Sequence, residues 1–218
     1  MDTISYDSFR PTRDTALMQK LILCYQNVFS ASPWFEWKRC TTCNRKWGRE
    51  QETEIQCMRC PKCGSALTDF WPSDVVEQDI CKELTLPGAS CWLACHREKI
   101  VGFCWGYPIA LIALEEKLGI ACATPIQHTY GNITQVAYQD EIGVEQKYRG
   151  HGLGSMLFNL RKNDFLKQGL HIGVVRTKTQ PPTVTYHWYQ KLGYQTVARY
   201  NDKDGKVILA IDLQKLPG

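Results

Sequence analysis

The stretch QVAYQDEIGVEQKYRGHGLGSMLFNL, residues 135–160, reads as a strand, a tight turn and a helix in direct succession. Gln135 to Val144 form the strand-like run, and Leu153, Met156, Leu157 and Leu160 mark the apolar side of the helix. Between them stand Gly150, Gly152 and Gly154 at alternate positions, led by Arg149. Glycines at the first turn of a helix leave its backbone NH groups uncovered by Cβ atoms, which makes an anion site suited to phosphate. Two other phosphate motifs do not fit. A dinucleotide fingerprint needs a glycine where Ser155 stands, and a P-loop needs Gly-Lys-Ser/Thr.

Working outward, the spacing of Leu17, Leu21, Cys24 and Val28 predicts a helix from Asp14 to about Ser30. Pro72-Ser73-Asp74 starts a second helix through Val75, Val76, Ile80 and Leu84, which Pro87-Gly88 ends. Strands are expected over Cys91 to Cys95 and Ile100 to Tyr107 on the near side of the quoted stretch. On the far side come a strand His171 to Thr177, a helix Val184 to Leu192, and a hairpin of Thr196 to Tyr200 with Val207 to Leu213. Helices and strands alternate without repeats, so the fold class is α/β, an α+β layering of helices on a sheet.

The quoted stretch also carries a resemblance. Arg149-x-x-Gly152-x-Gly154 is similar to the Arg/Gln-x-x-Gly-x-Gly/Ala motif of the GCN5-related N-acetyltransferases, the GNAT family. Tyr189-Gln-Lys-Leu-Gly193-Tyr194 resembles the family's Tyr-x-x-x-Gly-Phe/Tyr segment, and residues 100–213 follow its order of elements. The resemblance implies one GNAT-like domain over residues 1–218, with a mixed, mostly antiparallel sheet flanked by helices. It implies acetyl-CoA as cosubstrate, bound by Ile142, Gly143 and Val144 along the pantetheine arm. The pyrophosphate falls to Arg149, Gly150, His151, Gly152, Leu153, Gly154 and Ser155. A backbone NH near Val144 polarises the thioester carbonyl. Tyr189 occupies the family's position for the acid that protonates the leaving thiolate. Asp140 and Glu141 lie where the family often places an acid that assists the amine. Strand alternation sends their side chains to opposite faces, and Glu141 is the favoured base. His128, His171 and His187 are alternatives, each read first as structural. One departure stands out: the family's frequent asparagine seven residues before the tyrosine is Pro182 here.

Composition adds a second feature. The chain has 218 residues, 26 Lys plus Arg against 22 Asp plus Glu, and a formal charge of +4. Lys38 to Cys63 hold seven bases and three acids, so this segment alone accounts for the excess, and it holds five of the eleven cysteines. Cys40-x-x-Cys43 and Cys60-Pro-Lys-Cys63-Gly64 present two pairs of thiols on turn-like segments, a spacing that suits tetrahedral Zn²⁺ with Zn–S bonds of about 2.3 Å. The expectation is a structural zinc ribbon over residues 38–67, set between the first two helices. Cys57, three before Cys60, competes with Cys63 as a ligand but lacks the proline and glycine of the knuckle. Cys24, Cys81, Cys91, Cys95, Cys104 and Cys122 lie on apolar stretches and read as core residues. Trp34, Phe35 and Trp37 either line the acceptor entrance or pin the ribbon, and the latter is favoured.

These features exclude several classes. With 44% apolar and 22% charged residues the chain is neither disordered nor fibrous. The apolar run Ile100 to Leu114 is too short to span a bilayer. The start at Met1-Asp2 lacks the features of a secretory signal, and a cytoplasmic protein is expected. The leading reading is an acetyl-CoA-dependent N-acetyltransferase acting on a primary amine, whether a small molecule or a peptide or protein amine. Its rival is an adaptor whose basic ribbon binds nucleic acid or protein while the GNAT-like body only senses acyl-CoA. Four thiolates around one Zn²⁺ carry a net −2, so the basic residues of the ribbon partly compensate a negative metal cluster, which disfavours the rival.

Overall fold

The computed structural model describes residues 3–11, 15–55, 57–180, 183–201, 203 and 205–216, and among these it forms ten strands and six α-helices. In chain order they are β1 (Ile4–Ser8), α1 (Thr15–Ser30), β2 (Lys38–Cys40), β3 (Lys46–Trp47), β4 (Leu67–Asp69), α2 (Ser73–Leu84), β5 (Ser90–His96) and β6 (Lys99–Ala110). There follow α3 (Leu111–Leu118), α4 (Ala123–Tyr130), β7 (Gln135–Val144), α5 (Leu153–Lys167), β8 (Ile172–Lys178), α6 (Val184–Lys191), β9 (Gln195–Arg199) and β10 (Lys206–Asp212). Seven strands form one sheet in the order β1-β5-β6-β7-β8-β10-β9, and β3-β2-β4 form a small separate one. The fold is thus the mixed, mostly antiparallel α/β sheet flanked by helices that the sequence implies. The β7–β8 pair is parallel, with Ala137 opposite Gly173 and Tyr138 opposite Val174, and past Tyr138 the two strands part.

The chain divides into two compact units. The first comprises residues 1–85, 92–103 and 143–157, and the second residues 86–91, 104–142 and 158–218. In the first, α1 buries Met18, Leu21, Ile22, Tyr25, Val28 and Phe29, and α2 buries Val76, Ile80 and Leu84, the apolar rows expected of amphipathic helices. Tyr25 stacks on Phe103 at 5.7 Å and meets Trp71 edge-on at 5.5 Å. Asp14, where the first helix was expected to start, lies outside the described residues. β1 pairs antiparallel with β5, from Ile4 opposite His96 to Ser8 opposite Trp92.

The second unit buries a cluster of Phe158, Phe165, Val175, Tyr189, Tyr194, Leu209, Ile211 and neighbouring apolar residues. The apolar run Ile100 to Leu114 resolves into β6 and α3, which the sequence reading did not separate. Helix α3 ends on Gly119 in the left-handed conformation, and the NH groups of Cys122 and Ala123 both reach the Glu115 carboxylate at 2.7 Å, capping α4. On α5 the expected apolar stripe needs correction. Met156 is 46% exposed, and the inward row in this unit runs through Phe158, Arg161, Lys162 and Phe165. Among the described residues no helix is long and apolar enough to cross a membrane.

Candidate active site and cysteine cluster

The glycine turn belongs to the first unit. Gly150 and Gly152 both hold φ +81°, a conformation that side chains resist, and a Cβ on either would meet no atom within 4 Å. Open space therefore lies over these two residues. The Met156 NH closes on the Gly152 carbonyl at 3.0 Å, so Leu153, Gly154 and Ser155 sit at the open N-terminal end of α5. Such an end attracts anions through its NH groups and helix dipole. His151 and Ser155 are exposed beside it. The Arg149 side chain turns back on the protein: Nε donates to the Val144 carbonyl at 2.9 Å and Nη1 to the Ser32 carbonyl at 2.7 Å. It braces the end of β7, while its backbone stays in the turn. Gly143 is a packing glycine, since a Cβ there would lie 2.7 Å from Phe103 and 2.8 Å from Val28. Glu145, buried just past β7, takes the Lys99 ammonium at 2.6 Å and the Asn27 amide at 3.0 Å.

The second unit holds Tyr189 and the two candidate acids. Tyr189 is 3% exposed, and burial pushes its phenol pKa up, while the neighbouring Arg161 cation and a hydrogen bond from it act in the opposite direction. Alternation along β7 separates Asp140 from Glu141. Asp140 accepts from the Tyr107 hydroxyl at 2.8 Å and pairs with Lys117 at 3.2 Å, whose ammonium also lies over the Tyr107 and Tyr138 rings. Glu141 lies on the side of Tyr189, where its charge helps to raise the phenol pKa. The Ile142 side chain packs against the same buried cluster as Tyr189. His128, His171 and His187 are exposed, and Pro182 lies outside the described residues.

Sequence reasoning missed Arg161 and Gln139, and named Tyr194 only as the end of the Tyr189 segment. Arg161 is fully buried, its Nη1 donating to the carbonyls of Trp105 at 2.7 Å and Glu141 at 2.6 Å, and its Nη2 to Gln139 Oε1 at 3.1 Å. The same Gln139 oxygen accepts from the Tyr194 hydroxyl at 3.0 Å. The available signal was periodic: residue 161 falls in the i, i+4 register of Leu153, Leu157 and Phe165, where a charge is unexpected.

In the ribbon, the Sγ atoms of Cys40, Cys43, Cys60 and Cys63 lie within 4.8 Å of one another. The Cys40–Cys63 and Cys43–Cys60 sulfurs are 3.4 and 3.7 Å apart, against about 3.8 Å for tetrahedral ligands around one Zn²⁺. The two knuckles match residue for residue. Asn44 and Gly64 follow the second cysteine of each with φ +54° and +73°, and their NH groups return to the Cys40 and Cys60 carbonyls at 3.1 and 2.8 Å. Backbone NH groups turn toward the sulfurs, as a thiolate cluster requires. The Cys43 NH reaches Cys40 Sγ, and the NH of Ser65, with its hydroxyl and Cys40, draws the Cys63 thiol down to about 6. The Arg45 NH favours the Cys43 thiolate, but desolvation and three neighbouring thiols push that group up to about 11. A divalent cation resolves this mutual repulsion, so the donor set fits zinc. Cys57 is exposed and stands outside the cluster.

Four bases of the ribbon lie over aromatic rings: Lys38 and Arg49 over Trp37, and Arg39 and Lys46 over Phe70. Lys38 also pairs with Asp69 at 2.5 Å, and Lys46 with the buried Glu36 at 2.6 Å. Trp71 donates to the other Glu36 oxygen at 3.0 Å. Trp34 packs on Phe29 at 5.7 Å, and Phe35 is 37% exposed.

Comparison with known proteins bears on these sites. The family model described as "Acetyltransferase (GNAT) domain" matches residues 87–196, from just past α2 to the start of β9. No curated protein sequence matches the chain. Among solved structures, the PaiA N-acetyltransferase of Thermoplasma acidophilum in complex with coenzyme A aligns with a TM-score of 0.57 at 12% identity, over 96% of this chain and 99% of that one. Arabidopsis thaliana NAA60 in complex with acetyl-CoA gives 0.54 at 14% identity, over 97% and 99%. The polyamine N-acetyltransferase of Drosophila melanogaster, which forms N-acetylagmatine, gives 0.56 at 13% identity, over 96% and 100%. At these identities the likeness is one of fold. The family model spans half of the chain and takes in both the glycine turn and the Tyr189 segment, and the chain therefore belongs to the GNAT family of acetyltransferases.

Proposed function

We propose that the protein transfers an acetyl group from acetyl-CoA to a primary amine by direct attack. The observation that carries this reading is the open, glycine-lined end of α5, clear above Gly150 and Gly152, within a chain of this family. The NH groups from Arg149 to Ser155 hold the pyrophosphate, and the thioester runs along Ile142, Gly143 and Val144, whose backbone NH polarises the carbonyl. The amine nitrogen attacks that carbonyl carbon, forming the N–C bond. The C–S bond then breaks, and sulfur departs with the electron pair. Tyr189 gives its proton to the thiolate, and the amine proton passes to Glu141 directly or through water. Glu141, whose charge acts on the Tyr189 phenol, takes this role, and Asp140 binds the Tyr107 hydroxyl and Lys117.

Cys40, Cys43, Cys60 and Cys63 hold a structural Zn²⁺ that cross-links residues 38–67 and takes no part in the reaction. The acceptor is a small amine or a peptide or protein amine. The engagement of the ribbon's bases by Trp37, Phe70, Asp69 and Glu36 supports this reading over the nucleic-acid adaptor. Calorimetry with acetyl-CoA, followed by thiol release over a panel of polyamines, amino acids and peptides, tests it. Binding and acceptor-dependent release are expected. Absence of acetyl-CoA binding would overturn the reading.

A further inference from the structure

Arg161 presents a physical problem. A fully buried guanidinium costs several kcal/mol unless a countercharge or dense hydrogen bonding compensates it. Among the described residues the groups that receive its hydrogen bonds are neutral: the Trp105 and Glu141 carbonyls and the Gln139 amide oxygen, with the Tyr189 phenol beside them. Neither its Nε nor the Gln139 Nε2 has a hydrogen-bond partner among the described residues. The network is thus an incompletely satisfied buried cation, placed between β6 and β7 and beside the Tyr189 phenol. A fold that only needed to tie two strands together would do so more cheaply with apolar packing.

We infer that Arg161 is a positioning residue for the transfer reaction: it holds the β6 and β7 carbonyls in one fork and serves as the counter-ion for Tyr189 when that phenol gives up its proton. The inference rests on the reading of Tyr189 as the proton donor. When the proton moves from the Tyr189 oxygen to the departing thiolate, a phenolate is left in a buried environment. Without a nearby cation its formation is opposed by desolvation. Two other groups facing the phenol oppose it too, since Glu141 from β7 and Cys104 from β6 raise its pKa, while the Tyr194 ring meets it at a tilt of 58° with centroids 4.8 Å apart. Arg161 alone among these favours the charged form. Because Nη1 also holds the Glu141 carbonyl, the cation keeps a fixed place relative to the strand bearing the candidate base. Tyr194 and Gln139 complete the cage, so that the cation is oriented rather than merely near.

The test compares R161M, R161K and Y189F by pH-dependent steady-state kinetics with acetyl-CoA, with circular dichroism reporting the fold. Removing the cation in R161M is expected to lower kcat by about 10- to 100-fold, with little change in the KM for acetyl-CoA. The alkaline limb of kcat, which reports loss of the acid's proton, moves up by about 1 pH unit, since the phenolate is no longer favoured. R161K keeps a charge but not the planar fork; it holds the limb near its original pH while kcat falls. R161K carries the test if R161M does not fold, and a limb displaced upward in R161K overturns the inference. So does a folded R161M with reduced kcat and an unmoved limb beside an impaired Y189F, which marks a merely structural arginine. An unimpaired Y189F instead overturns the reading of Tyr189 itself.

Discussion

Substituting Gly152 by alanine separates the fold from the proposed cofactor site. At φ +81° an alanine is strained by about 1–2 kcal/mol, but its methyl meets no protein atom within 4 Å, so no packing penalty adds to the strain. For a chain of this size that strain lowers Tm by about 2–8 °C. The same methyl projects into the space where the pyrophosphate would lie. Displacing the anion from even part of its NH cradle is expected to weaken coenzyme A binding by about 10- to 100-fold, corresponding to about 1.4–2.8 kcal/mol. Gly143→Ala is the contrasting variant, since its methyl would lie 2.7 Å from Phe103 and 2.8 Å from Val28, an overpacking that costs about 1–3 kcal/mol of stability. Thermal denaturation and calorimetric titration with coenzyme A measure the two effects on the same samples. A folded Gly152→Ala protein that binds coenzyme A as tightly as the parent would refute the assignment of this turn as the cradle.

Three further outcomes follow from the geometry. Elemental analysis after dialysis is expected to find one zinc per chain in the parent and none in Cys63→Ser, whereas Cys57→Ser keeps the ion; the reverse result would exchange the fourth ligand. Glu141→Gln is expected to lower kcat by about 10²-fold or more with a loss of the acidic limb of the pH profile, whereas Asp140→Asn chiefly weakens the contacts with Tyr107 and Lys117. Equal kinetic effects would contradict the division of roles. Glu115→Ala removes the acceptor of two NH groups at the start of α4 and is expected to cost about 1 kcal/mol of stability, read by denaturant unfolding, without altering the KM for acetyl-CoA.

Much of the architecture was legible because it depends on neighbours in the chain. The β7 boundaries, Gln135 to Val144, follow from local composition, and the positive φ values of Gly150 and Gly152 from the turn they must make. Helix α3 was not read, since Ile100 to Leu114 is uniformly apolar and lacks the alternation that marks where a strand ends. The correction on α5 has a similar origin. Met156 shares the apolar character of Leu157 but faces outward, and Arg161 is charged yet faces inward, so hydropathy alone misplaces both.

The division between the two levels is clearest at the sites. The sequence by itself determined the family, the glycine turn and the four cysteines, because a Gly-x-Gly at a helix start and a Cys-x-x-Cys loop bring their groups together within a few residues. Tertiary structure decided that Cys63 and not Cys57 joins the sulfur cluster, that Arg149 reaches the Ser32 carbonyl, and that Asp140 is held by Tyr107 and Lys117. It also placed Arg161 on the carbonyls of Trp105 and Glu141, 56 and 20 residues away. Each of these rests on contacts between segments remote in the chain, and their energies depend on burial and distance that no local pattern encodes.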